Sequence, residues 1–173
     1  MPTKPKSKSR IPKSKPATFP SIEDSILGTL VFASQNGPST LEYRGTVDVR
    51  GKHLELILCS DDAQILNQTQ KHARKHVRGI VRMLKQAEAY ISVDFVPKYN
   101  RELRKQYKLG LNSQDWPQLE QSAFLDTIIL QSIVFHSSGD CSYWFDVGDQ
   151  LQGHGFVLFY NTTKGFHHTD TPG

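Results

Sequence analysis

Leu125-Asp126-Thr127-Ile128-Ile129-Leu130-Gln131-Ser132-Ile133-Val134-Phe135-His136 is the run whose reading decides the fold. One alternating set is Leu125, Thr127, Ile129, Gln131, Ile133 and Phe135; the other is Asp126, Ile128, Leu130, Ser132, Val134 and His136. Both sets are largely apolar, which predicts a strand covered on both faces at its centre. Ser137-Ser138-Gly139-Asp140 predicts a reversal, because Gly and Asp tolerate the backbone angles of a tight turn. The aromatic run Cys141 to Val147 then reads as a second strand, Gly148-Asp149 as another turn, and Phe156 to Tyr160 as a third strand. Ala123 to Tyr160 is thus expected to be a three-stranded antiparallel meander.

Upstream, Leu27 to Ser34 reads as a strand, and Gln35-Asn36-Gly37-Pro38 as a turn cluster. Thr40 to Arg50 alternates cleanly, with Leu41, Tyr43, Val47 and Val49 on one side and Glu42, Arg44, Thr46 and Asp48 on the other. After Gly51-Lys52, His53 to Cys59 places Leu54, Leu56 and Leu58 on one face. This predicts a second meander, covered on one side.

Between the meanders the apolar period changes. Ile65, Leu66, Ala73, Val77, Ile80, Val81 and Leu84 recur at helical spacing, behind Ser60-Asp61-Asp62 as an N-terminal cap. The helix is expected to reach about Val93, and Pro97 to sit in the first turn of a second helix. Leu109 to Gln121 reads as a connector. Because the strands are consecutive rather than alternating with helices, the expected class is α+β. The expected architecture is an antiparallel sheet of about six strands in two meanders, with a helical hairpin between them packed on one face.

Three segments are expected along the 173 residues: a disordered basic tail over 1–20, one α+β domain over 21–166, and a frayed C-terminus over 167–173. The tail carries six bases and no acid, among Pro and Ser, and is too polar to offset its ordering entropy. The net charge of +4 is strongly partitioned: −4 over 21–70, +8 over 71–108 and −6 over 109–173. No apolar run reaches the roughly 18 to 20 residues of a membrane helix. Neither that nor the N-terminus suggests a membrane or secretory protein, and the two cysteines make no disulfide framework, so a cytoplasmic location is expected.

Familiar catalytic signatures are missing. The chain has no phosphate-binding loop, dinucleotide fingerprint or nucleophile elbow, and no Cys pair with zinc-finger spacing. His72 and His76 share a helical face but flank Arg74 and Lys75, which oppose binding another cation, so they read as surface histidines rather than metal ligands. Asp140, Asp146, Asp149 and His154 cluster near predicted turns, where Asp is favoured for backbone reasons; a small hydrolase using Asp146, Asp149 and His154 is one alternative. Cys59 and Cys141 read as small buried hydrophobes. No cofactor, metal or catalytic residue is assigned.

One feature resists the bland reading. Lys71, Arg74, Lys75, Arg78, Arg82 and Lys85 follow one another at steps of three and four with no acid before Glu88. Solvated helix faces usually mix signs, because opposite charges four apart help the helix. Pairing with the acidic meanders is one explanation; docking an acidic protein or a nucleic acid is the other.

Leu27-Gly28, Gly45-Thr46-Val47, the basic helix after Asp62, and Gly153-His154 follow one another in an order that resembles a widespread bacterial family known only as a domain of unknown function. The resemblance spans about residues 22–165. Some similar small α+β domains look like immunity proteins encoded beside polymorphic toxins, which implies binding rather than catalysis. The expectation is a non-enzymatic, macromolecule-binding, immunity-type protein with an acidic toxin as partner. The alternative is a nucleic-acid-associated protein using tail and helix face, with weak nonspecific binding through the tail.

Overall fold

The computed structural model describes residues 19–36, 40–108, 118–151 and 155–171. The basic segment before Phe19, most of the connector and Gly153-His154 lie outside them. The alternating N-terminal segments form β1 (Ile22–Asp24), β2 (Gly28–Asn36), β3 (Thr40–Val49) and β4 (Lys52–Ser60). Each pairs antiparallel with the next. The β3–β4 reversal is a two-residue turn, with φ of 55° at Arg50 and 76° at Gly51. Positive φ at both central positions matches the right-handed twist of a hairpin, and Asp48 Oδ1 accepts from the Gly51 N–H at 2.9 Å. Gly45 answers a different need. A Cβ there would stand 2.6 Å from Leu30 Cδ2 and 3.0 Å from the Thr29 carbonyl oxygen, so only glycine lets β2 and β3 close.

The second half contributes β5 (Ile129–Phe135), β6 (Cys141–Asp146), β7 (Phe156–Asn161) and β8 (Gly165–Asp170), again antiparallel in succession. The expected six-stranded antiparallel sheet is corrected here. All eight strands join in one mixed sheet, in sequence order, and β4 pairs with β5 in parallel, Glu55–Leu58 against Ser132–Phe135. The physical reason is the long helical crossover between them, since parallel neighbours cannot be joined by a tight turn. β1 and β8 supply the additional strands. Residues 167–170, expected to fray, pair along β7, and Phe19, expected in the tail, packs on Phe32 with ring centroids 4.7 Å apart.

The helical hairpin is corrected too. α1 (Ala63–Arg78) and α2 (Ile80–Tyr90) are separated only by Gly79, and a π-helical segment (Ile91–Phe95) leads straight into α3 (Val96–Lys108). Pro97 therefore lies inside a continuous helical stretch. The π turn accommodates it: the Val96 N–H donates five residues back, to the Ile91 carbonyl, ahead of the position where proline supplies no donor. The front of the Leu125 run is likewise helical. α4 (Gln121–Thr127) is capped by Glu120, whose carboxylate accepts from the Ala123 N–H at 2.8 Å, and it buries Phe124. Phe124 meets Phe95 and Phe156, whose own rings lie 4.6 Å apart.

The helices cover one sheet face. Its buried side chains include Leu30, Tyr43, Leu56, Leu58, Ile133, Phe135, Tyr143 and Leu158. The alternate positions Val31, Arg44, Glu55 and Trp144 turn the other way and are more exposed. α1 lies over β4 and β5, and α2 approaches β8.

Candidate functional site

α1 begins at Asp62, whose Oδ1 accepts from the N–H groups of Gln64 and Ile65 at 2.8 Å each. With its start fixed, the helical period sends Leu66, Ala73 and His76 into the core and leaves Lys71, Lys75 and Arg78 exposed. Gly79 interrupts the helix without losing the stripe, and Arg82 and Lys85 on α2 are exposed as well. The sequence-predicted basic set thus spans two helices instead of one.

Its members differ in state. Arg74 Nε pairs with Asp24 Oδ2 at 2.6 Å. Among the described residues no carboxylate lies within ion-pairing distance of Lys71, Lys75, Arg78, Arg82 or Lys85. Among the described residues, neutralisation by the acidic meanders reaches one base of six.

His76 is the residue that sequence reasoning misplaced. It is 5% exposed and sits among Phe135 and Tyr160, and its Nδ1 lies 3.2 Å from Tyr143 Oη and 3.8 Å from Cys141 Sγ. Burial, with His72 and Lys75 nearby, pushes its pKa down to about 4. We assign a neutral ring with its proton on Nε2, so that the Tyr143 hydroxyl donates to Nδ1. The available signal was its place on the buried register 66–69–73–76–80.

His72, one turn earlier, stacks edge-on against His76 at 4.5 Å. Neither of its ring nitrogens is accessible, and among the described residues neither has a hydrogen-bond partner. Burial and then Lys75 push its pKa below the usual value, against a weaker pull from Asp140. His72, Lys75, His76, Arg82, Tyr160 and Thr162 line a recess of about 70 Å³ beside the stripe. Two cations and two hydroxyl-bearing side chains thus stand beside the buried imidazoles at this recess.

The other candidates are not assembled. Asp146 accepts from Gln131 Nε2 at 3.2 Å and from the Gly148 N–H at 2.9 Å, the bonding of a turn residue. Asp149 is exposed on a short 3₁₀ turn, and His154 lies outside the described residues. Burial raises the pKa of both thiols, most strongly at Cys141, which is the opposite of nucleophile activation. Among the described residues no three His, Cys, Asp or Glu side chains converge as a metal site. No described helix is long and apolar enough to cross a membrane.

Compared with known proteins, the chain matches no protein family, no curated sequence and no solved structure.

Proposed function

We propose that the protein is a non-catalytic binding protein that docks an acidic protein on the basic face of α1 and α2, an acidic side chain entering the His72–Lys75–Arg82 recess. The observation that carries this is that, among the described residues, Lys71, Lys75, Arg78, Arg82 and Lys85 have no carboxylate within ion-pairing distance. A one-sign stripe of this kind costs helix stability through like charges four apart and repays it only against an opposite surface. From Lys71 to Lys85 the stripe runs about 20 Å along the helices, the scale of an ordinary protein interface rather than of an extended polyanion track. Beyond residue 20 the acids outnumber the bases, which disfavours long phosphate arrays. The sequence resemblance, to a family of unknown function whose similar small domains in some cases look like immunity proteins, would make that partner an acidic toxin surface.

The test pairs two polyanions. Poly-L-glutamate and a short DNA duplex are titrated against the full chain, the chain lacking residues 1–18, and a Lys75→Glu/Arg78→Glu/Arg82→Glu variant. Expected is polyglutamate binding that survives tail removal and is lost in the triple variant, with DNA binding that depends on the tail and fades near physiological salt. Tight duplex binding by the tail-less chain at physiological salt would instead make nucleic acid the partner.

A further inference from the structure

The parallel contact between β4 and β5 is short. Glu55–Leu58 pair with Ser132–Phe135, whereas Lys52, His53 and Leu54 pair only on their β3 side. On its other side β5 stays paired with β6 through Ile129, with a register shift between Leu130 and Ser132. Beside the opening between β4 and β5 is a chamber of about 180 Å³, walled by Leu54, Leu84, Ala87, Ile91, Ile128 and Phe145. Ile91 begins the π-helical segment, a widened turn of the kind that recurs at ligand sites. Lys52, His53 and Glu88 are the polar side chains lining the chamber, all three exposed, and Ile129, 49% exposed, lines it as well.

The chamber is partly open, with apolar walls and a polar rim, which is the build of a small-molecule site. Its volume resembles that of the engineered cavity of about 150 Å³ that stays dry and takes up benzene. Lys52 and Glu88 bring one donor and one acceptor and cancel in charge. A hydroxyl can use both, whereas a carboxylate loses at Glu88 what it gains at Lys52 and a bare hydrocarbon uses neither.

We propose that this chamber binds a neutral, ring-sized apolar molecule bearing one hydroxyl, a phenol-type ligand, with the ring against Leu84, Ala87 and Ile91 and the hydroxyl between Lys52 and Glu88. The site is separate from the basic face and does not depend on the acidic partner proposed for it.

The experiment is methyl-detected NMR on the full chain, titrated with phenol, toluene and benzoate. Phenol is expected to shift the methyls of Leu84, Ile91 and Ile128 saturably, with Kd on the order of 1 mM or below for so small a ligand. Toluene and benzoate are expected to bind more weakly, and Lys52→Gln to reduce phenol affinity to that of toluene. Ala87→Leu fills the chamber and should remove the response; should that variant not fold, Ile129→Trp, at the exposed entrance, should block it. Absence of saturable shifts at those methyls up to roughly 10 mM phenol, a range that covers even a poorly efficient ligand, would overturn the proposal. So would shifts that persist in both folded variants, or benzoate binding more tightly than phenol.

Discussion

Arg74 Nε stands 2.6 Å from Oδ2 of Asp24, a carboxylate whose side chain is 1% exposed and whose Oδ1 accepts from the N–H groups of Ile26 and Leu27. One acid therefore closes the β1–β2 turn and clamps α1 to the first hairpin. Asp24→Ala removes both roles and should cost roughly 2 kcal/mol or more, because it leaves two turn N–H groups and a guanidinium without their partner. Arg74→Gln should cost less, about 0.5 to 1 kcal/mol, since the guanidinium is partly solvated. Urea unfolding of the two variants measures the difference; equal costs would mean that the turn bonds contribute nothing. Burial alone would raise the Asp24 pKa, but the two N–H donors and Arg74 together hold it below the ordinary value. Its stabilisation is therefore complete above about pH 4 and fades as the pH falls through the depressed value.

His76 titrates in the same sense but in a higher pH window. Its pKa of about 4 lies below that of an unfolded histidine, so between about pH 4 and 6.5 the unfolded chain binds the extra proton. Stability should be full above about pH 7 and fall on acidification to pH 5, by roughly 2 kcal/mol, from this residue. Thermal midpoints at the two pH values report it, and His76→Gln should flatten the dependence over that window. An unchanged slope in His76→Gln would place the titrating group elsewhere, with His72 and His136, both shifted down by burial, as the next candidates.

Ile129 and Ile133 stand on the same strand and should respond differently. Ile133 is fully buried and Ile129 is 49% exposed. Ile133→Ala should cost about 2 to 5 kcal/mol and Ile129→Ala below about 1 kcal/mol. Denaturant midpoints decide it, and a comparable loss at both positions would mean that the exposed end of β5 is covered in solution.

That contrast also shows what the sequence carried. Within the Leu125 run both alternating sets are apolar, so period alone could not distinguish the α4 turn from the strand that follows it; Glu120-Gln121-Ser122 held the missing cap signal. β3 was legible almost to the residue, because Thr40–Val49 is solvated on one side and writes its alternation plainly. The β4–β5 pairing was not legible, since it joins residues about 77 apart through a crossover, and no local pattern records register at that distance. β8 was hidden by composition: His167, His168 and Thr169 look like a tail and are held by β7. At the candidate site the stripe was visible as spacing and sign. Which base is paired, and that His76 is buried, depended on Asp24 and Tyr143 arriving from distant strands.

Gly45 gives a sharp test of the β2–β3 contact. In Gly45→Ala the new methyl would have to displace Leu30, itself fully buried, and would press on the Thr29 carbonyl. Backbone cannot yield as a flexible side chain can, so a loss of about 1 to 3 kcal/mol is expected. Pairing the change with Leu30→Ala relieves the closer clash, and a double-mutant cycle should show the two costs to be strongly non-additive. Additive costs would mean that the hairpin relaxes instead of clashing.

Lys71 separates docking from architecture most cleanly. It is exposed, lies in the middle of α1, and has Arg74 three residues on and Lys75 four residues on, both of its own sign. In Lys71→Glu those two repulsions become attractions, and Glu preceding Lys by four residues is the better orientation on a helix, so the fold should gain about 0.2 to 0.5 kcal/mol per pair. Were the stripe present only to support the fold, reversing one of its charges would not be expected to stabilise it. If the stripe serves an acidic partner, the same substitution should weaken polyglutamate binding while the thermal midpoint holds or rises. Measured together on one sample, the two readouts carry opposite signs under the docking reading. A fall in both would mean that Lys71 supports the fold after all, and a rise in midpoint with binding unchanged would remove Lys71 from the interface and confine it to Lys75, Arg78, Arg82 and Lys85.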